Sequence, residues 1–199
     1  MMATAAEGPS PNCESQFGIS WFQCAANSNY TAVMAEFVHQ RHKPLVALER
    51  PRELVVACAP MRSNVNLSRI VRTASCCGVT RLIVCGKPKL DREITRDAAD
   101  AITLEPHRTL PPVLKALKAE GYQLVGLEQT TNSQCLFSFS FPRRTALVVG
   151  NERQGLDEDT LQLLDHVVEI PVYGRPFSYN VGTATAMALY EFCRQFPHG

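Results

Sequence analysis

Three short stretches of this 199-residue chain gather side chains able to bind an anion, hold a proton donor in place, or let main chain approach closely. The first is NLSRIVRT over residues 66–73. On a helix, Arg69 and Arg72 share a face, with Ser68 one turn before Arg72. Two guanidinium forks and a hydroxyl beside a helix start can hold a phosphate, and the same pattern also describes an ordinary solvated helix face. The second is LVVGNERQGL over 147–156. Gly150 ends an apolar run where a residue without Cβ admits close backbone approach, and Asn151 and Glu152 add an acceptor and a carboxylate. The third, IPVYGRPFSYNVGTATAMALYE over 170–191, places Ser178 and Asn180 before a helix that opens with Gly182, Thr183, Ala184, Thr185 and Ala186. Taken singly, Gly150 is a turn glycine, Glu152 a solvated carboxylate and Asn180 a helix cap. Together they form two polar glycine loops directly after two β-branched runs. Open α/β sheets bind ligands at the carboxyl ends of their strands, so this pairing points to a ligand site.

These loops need strands and helices to hold them. Short β-branched runs at 54–59, 81–85, 122–127, 146–150 and 167–172 alternate with helical patterns at 66–77, 111–120 and 157–165. Continuous apolar runs, as opposed to period-two alternation, predict an α/β fold with a mostly parallel sheet and helices on both faces. Asn66 is the expected cap of the first helix, whose stripe of Leu67, Ile70, Val71 and Ala74 stops at Gly78. The segment after the first strand, APMRSN over 59–64, has no GxGxxG and no GxxxxGK[ST]. That disfavours a nicotinamide-binding domain and a P-loop nucleotidase.

Composition narrows the rest. The chain is 45% hydrophobic and 20% charged, with net charge +1, which fits one globular domain with an appendage. The division falls near residue 50: an extension over 1–50, with a docked helix expected over 31–42 under a Thr31 cap, and a folded domain over 51–199. His39, Arg41, His42 and Lys43 close that helix as a small basic cluster. No apolar run approaches the roughly 20 residues a membrane span requires. Met1–Cys13 lacks the features of a secretory signal, so a cytoplasmic or nuclear location is expected. Eight irregularly spaced cysteines without a CxxC read as reduced thiols, with no metal site expected.

Asn66 and Arg72 in the first stretch, the GNERQGL loop in the second and Ile170-Pro171 leading to SYNVGTATA in the third closely resemble the three ordered motifs of the SpoU/TrmH branch of the SPOUT RNA 2′-O-ribose methyltransferases. The resemblance covers about 54–195. GLEQT over 126–130 is similar to the branch that methylates tRNA guanosine. It implies a C-terminal deep trefoil knot, where connection rules alone predict an unthreaded doubly wound sheet. It also implies a homodimer with S-adenosylmethionine bent against main chain around Gly150, Ile170 and Tyr179, Leu127 at the pocket edge, and S-adenosylhomocysteine as product. Arg72 then matches the arginine that assists loss of the ribose proton. Asn66 positions it or the substrate backbone, Glu152 orients the basic group, and Ser178 and Asn180 line the transfer site.

The implied reaction is an in-line attack of a hydroxyl oxygen on a sulfonium methyl, in which proximity and removal of one proton carry the rate. An arginine is far too weak an acid to serve as a base at neutral pH, which makes Arg72 a stabiliser of the forming alkoxide and not a literal base. The implied substrate is tRNA, at a guanosine, with rRNA second and no DNA. A non-catalytic RNA-binding or scaffold relative is the alternative, and methylation of a base or protein side chain comes third. Near-neutral net charge is unusual for an RNA enzyme, so local patches must supply phosphate contacts. The candidates are Arg69 with Arg72, Arg143 with Arg144, and Lys87, Lys89 and Arg92. Tyr179 and Gly182 depart from the family's usual Leu and Ser.

Overall fold

The computed structural model describes residues 37–40 and 43–199. It divides into two compact units, 1–44 and 45–199. In the first, Phe37–Gln40 carry no regular structure, and Phe37 and Val38 are exposed. The helix expected over 31–42 is therefore absent at 37–40, and its remainder lies outside the described residues. In the second unit, Leu45–Arg50 pack with the C-terminus: Glu49 N–H donates to the His198 carbonyl at 3.0 Å and Arg50 Nε to the Gly199 carbonyl at 3.0 Å. Residues 45–50 thus belong to the second unit, six positions earlier than the sequence division.

That unit is built on seven parallel strands: β1 (Leu54–Cys58), β2 (Arg81–Cys85), β3 (Thr103–His107), β4 (Gln123–Leu127), β5 (Gln134–Cys135), β6 (Thr145–Val149) and β7 (His166–Glu169). Their spatial order is β3-β2-β1-β6-β4-β7-β5. The chain first lays β1, β2 and β3 outward on one side and crosses to β4. It then returns to slot β6 between β1 and β4, and β7 between β4 and β5. β6 has neighbours on both sides and helices over both faces, which is why TALVV is wholly buried and apolar after Thr145, whose hydroxyl donates to the Pro142 carbonyl.

Residues alternate between two cores, as the pleat requires. Leu54, Val56 and Cys58 of β1 face α1 (Asn64–Cys76) and α6 (Val181–Gln195), meeting Leu67, Ile70, Val71, Ala188, Leu189 and Phe192. Val55 and Ala57 face the opposite layer, α4 (Leu110–Ala119), through Val113, Leu114 and Leu117. Each such buried side chain contributes roughly 1.5–3 kcal/mol relative to exposure. Short helices α2 (Arg92–Thr95), α3 (Ala98–Ala101) and α5 (Glu158–Leu161) complete the unit.

The expected five strands and the helices on both faces are present. Gly78 ends the α1 region with φ +72°, the left-handed stop that the sequence signals. Two strands escape sequence patterning, β3, an edge strand of sequence TLEPH, and the two-residue β5, as do the one-turn helices α2 and α3. The helix expected over 157–165 is only Glu158–Leu161, because Asp165 leaves it to accept from Leu124 N–H and Lys118 Nζ, each at 2.8 Å.

Candidate functional site

The carboxyl ends of β4, β6 and β7 converge on one crevice, and a side-chain network beside it ties α1, the β6 loop and α6 together. Asn66 does not cap α1, correcting the sequence expectation. Ser63 is the cap, its hydroxyl accepting from Asn66 N–H at 3.3 Å. Asn66 is consequently the third helical residue, and its carboxamide is free for longer-range bonds. Its Nδ2 donates to Glu152 Oε1 at 3.2 Å, and its Oδ1 accepts from Asn180 Nδ2 at 3.1 Å. Asn180 also caps α6, its Oδ1 accepting from Gly182 N–H at 3.0 Å and Thr183 N–H at 3.4 Å. The capping role foreseen for Asn180 is thus real, and its second amide group extends it to Asn66.

Glu152 is the hub. Its Oε1 accepts from Ser63 N–H at 2.8 Å and its Oε2 from Arg62 N–H at 3.0 Å, so a loop carboxylate grips the entry to α1. Partial burial acts to raise its carboxyl pKa. The backbone N–H bonds from Arg62 and Ser63, with Asn66, outweigh that and hold it below its ordinary value. A charged Glu152 at a helix start also meets the positive end of the helix dipole.

The loop that carries Glu152 is a tight hairpin in which Asn151 and Gly155 exchange two backbone bonds of 2.9 Å. A Cβ on Gly150 would collide with Gly155 and sit 2.7 Å from the Leu156 nitrogen. The close approach Gly150 permits is therefore to its own hairpin, while its backbone lines the crevice. Glu128, just beyond β4, fixes the other side by accepting from Leu156 N–H at 3.0 Å. Asn151 Nδ2 anchors the hairpin to the Pro60 carbonyl at 2.6 Å.

The crevice has a cavity volume of about 240 Å³ and opens to solvent. Leu127, Val149, Ile170, Val181 and Ala184 give it an apolar floor, and Glu128, Glu152 and Glu169 bring carboxylates to it. Tyr179, 40% exposed, and Ser178 form one wall. Exposed main chain, apolar surface, one aromatic ring and nearby negative charge suit an adenosine carrying a sulfonium cation. S-adenosylmethionine fits this donor set, and it would supply an electrophilic methyl.

All four residues assigned to the cofactor, Leu127, Gly150, Ile170 and Tyr179, line this one crevice, together with Ser178 and Glu152. Asn66 and Asn180 stand beside it in the network. Arg69 and Arg72 lie on exposed α1 surface and outside the crevice lining, with Arg72 Nη1 donating to the Ile94 carbonyl at 3.3 Å. Gly182 lies in the first turn of α6, where a Cβ would meet Arg69 Cβ of α1 in ordinary contact at 3.7 Å and its own cap oxygen, Asn180 Oδ1, at 3.3 Å. Lys87, Lys89 and Arg92 are exposed on the segment after β2, where Arg92 lies 3.6 Å from Asp100. Arg143 and Arg144 are not brought to the site. They precede β6, at the opposite end of the sheet, where Arg143 donates to the Gly199 carbonyl and Arg144 pairs with Glu53 at 3.0 Å. Sequence reasoning missed Glu128, Gln129, Arg153 and Glu169 as crevice residues. The GLEQT stretch was the available signal for the first two.

The SpoU rRNA methylase family model matches residues 53–190. The tRNA (guanosine(18)-2′-O)-methyltransferase TARBP1 of Mus musculus is 32% identical over 183 residues, covering 89% of this chain and 11% of that protein. The tRNA (guanosine(18)-2′-O)-methyltransferase of Aquifex aeolicus is 33% identical over 153 residues, covering 74% of this chain and 72% of that protein. Among solved structures, the SpoU methyltransferase AviRb of Streptomyces viridochromogenes in complex with the cofactor AdoMet superposes with a TM-score of 0.65 at 28% identity, over 75% of this chain and 63% of that one. This chain thus spans about a tenth of the mouse relative and nearly three quarters of the Aquifex one. With the matched region covering all seven strands and every residue of the Asn66–Glu152–Asn180 network, the chain belongs to the SpoU rRNA methylase family.

Proposed function

We propose that this protein transfers the methyl group of S-adenosylmethionine to a ribose 2′-hydroxyl of structured RNA, with a tRNA guanosine as substrate and S-adenosylhomocysteine as product. The observation that carries this reading is the crevice at the ends of β4, β6 and β7 lying against the Asn66–Glu152–Asn180 network. The names of the mouse and Aquifex relatives favour guanosine in tRNA. The description of the matched family favours rRNA as the second substrate.

Each residue has a physical task. Main chain around Gly150 and Ile170, with Leu127 and Tyr179, holds the adenosine, and Ser178 borders the point of transfer. Glu152, kept ionised, and Asn66 fix the start of α1, so that the helix bearing Arg69 and Arg72 is held in register with the crevice. Arg72 stabilises the developing alkoxide. Its guanidinium is unsuited to accept the proton itself, because it is already protonated at neutral pH. Arg69, Lys87, Lys89 and Arg92 offer phosphate contacts on the same side of the molecule, and Arg143 and Arg144 offer a second patch.

Two features complete the reading. A homodimer that apposes α1 of one protomer to the crevice of its partner brings Arg72 to the transfer site. The exposed Tyr173, Phe177 and Tyr190 supply apolar surface for such an interface. A deep trefoil knot formed by the C-terminal segment suits the late insertion of β6 and β7 between earlier strands and the small residues that open α6. The catalytic domain extends over 51–199, with residues 45–50 packed against its C-terminus as part of the same unit. An activity on tRNA or rRNA belongs in the cytoplasm or nucleus, and no helix among the described residues is long and apolar enough to cross a membrane.

The test incubates the protein with methyl-labelled S-adenosylmethionine and either unmodified tRNA or rRNA, then digests the RNA with alkali. Label in an alkali-resistant dinucleotide with guanosine at its 5′ side supports the reading. RNA binding without transfer would instead identify a scaffold relative.

A further inference from the structure

On the side of α1 and α6 away from the crevice lies a thiol pair to which the methyl-transfer reading gives no role. Cys77 follows the last residue of α1, and Cys193 sits in the final turn of α6. The Cys193 thiol donates to the Cys77 carbonyl oxygen at 3.7 Å, which brings the two cysteines together. Neither is sealed in the core, whereas Cys58 and Cys85 are buried.

The third member is Arg52. Its Nη1 donates to the Phe196 carbonyl, but its Nε is buried and unpartnered among the described residues. It packs against Gly78, next to Cys77, and its positive charge acts on both thiols. A buried N–H without an acceptor is costly, and a thiolate beside it relieves that cost. The neighbouring acidic side chain, Glu191, is already engaged by Arg194 at 2.7 Å and by Gln195 at 2.8 Å.

We propose that Cys193 and Cys77 form a reversible disulfide in which Cys193, activated by Arg52, is the attacking thiolate and Cys77 the resolving thiol. The Cys77 S–H bond, working against burial, lowers the Cys193 pKa to about 7, and donating that bond raises Cys77. Cys193 is therefore the more readily ionised of the two. The oxidant is a hydroperoxide. The Cys193 sulfur attacks its terminal oxygen, the O–O bond breaks, and the alcohol or water leaves with a proton. The Cys77 sulfur then attacks the resulting sulfenic acid, the S–O bond breaks, and hydroxide departs with the Cys77 proton as water. Two thiols and one hydroperoxide thus give one disulfide, one alcohol or water, and one further water. A dithiol reductant returns both electrons. The bond ties the end of α1 to the end of α6, the two helices whose other ends carry Asn66 and the Asn180 cap.

The test treats the reduced full-length protein with stoichiometric hydrogen peroxide, blocks free thiols with iodoacetamide and maps linked peptides by mass spectrometry. The expected product is a Cys77–Cys193 peptide about two mass units lighter than the sum of its thiols, removed by dithiothreitol and accompanied by a higher melting temperature. Cys77→Ser should leave a sulfenic acid on Cys193 that dimedone traps. At pH 7 a thiol titrating near 7 holds roughly fifteen times the thiolate of an ordinary cysteine, and its lower nucleophilicity reduces the rate advantage to about threefold. Arg52→Gln should reduce that advantage in Cys193 alkylation. A disulfide through Cys76, a bond only between molecules, or Cys193 alkylation with an ordinary pH profile would overturn the proposal.

Discussion

Replacing Glu152 by glutamine changes one oxygen to NH2 and removes one charge, yet the structure makes it a severe change. The carboxylate accepts from Arg62 N–H, Ser63 N–H and Asn66 Nδ2 at 2.8–3.2 Å. All three partners are donors, so the new NH2 group must face at least one of them. Hydrogen bonds to a charged group are worth about 1.5–3 kcal/mol each, against about 0.5–1.5 for neutral ones. Three such differences, discounted because the group is only half-buried, give an expected loss of about 2–3 kcal/mol. With a urea dependence near 2 kcal/mol per molar, the unfolding midpoint of Glu152→Gln should fall by about 1–1.5 M. Turnover should fall at least tenfold, since about 1.4 kcal/mol felt in the transition state is enough. Glu158→Gln, on the exposed surface of α5, is the control and should stay within about 0.5 kcal/mol. A Glu152→Gln protein with the midpoint and turnover of that control would refute the reasoning.

Other perturbations probe separate links. Arg72→Ala should leave the melting temperature nearly unchanged, since the side chain is exposed with one 3.3 Å bond to Ile94, while methyl transfer drops by two orders of magnitude or more. If Arg72 acts across a dimer, equal mixing of Arg72→Ala with a crevice-filling Ala184→Phe variant should restore about a quarter of wild-type activity, and action within one chain would restore none. Asn180→Ala removes the α6 cap and the bond to Asn66, and calorimetric unfolding should register a loss of about 1–2 kcal/mol. Three carboxyls have lowered pKa values in the fold, among them Glu191, held down by Arg194 on the surface of α6. Glu152 is held down by Arg62, Ser63 and Asn66, and Asp165 by Lys118 and Leu124, in each case against burial. Their stabilisation is complete above the unfolded values near 4 and is lost as pH falls through the lower folded values. Melting temperature should therefore hold from pH 7 to 5 and fall steeply below about 4, less steeply in Asp165→Asn.

The sequence makes the strands of the sheet centre readable because burial on both faces demands unbroken apolar runs, as in LVVAC and the ALVV of β6. Edge strands face no such demand. TLEPH of β3 and the two residues of β5 carry no pattern, and only pairing with β2 and β7 defines them. The residues alone signal a ligand site, through a glycine followed by Asn-Glu after a buried strand, and the assignment of Leu127, Gly150, Ile170 and Tyr179 to a cofactor comes from the resemblance to the family's motifs. The Asn66 role is not legible locally. A cap one turn earlier, Ser63, frees that carboxamide for partners 86 and 114 residues away in the chain. Arg143 and Arg144 show the converse limit, since charge in the sequence does not reveal which end of a strand it occupies.

The central claim is that the crevice of Leu127, Gly150, Ile170 and Tyr179 holds the methyl donor. Calorimetric titration with S-adenosylhomocysteine, in parallel with thermal unfolding, tests it most directly. One site per chain is expected, with stabilisation of about 2.7 kcal/mol at a ligand concentration one hundred times Kd, unchanged in Arg72→Ala and lost in Ala184→Phe. No heat and no rise in melting temperature at millimolar ligand would contradict it.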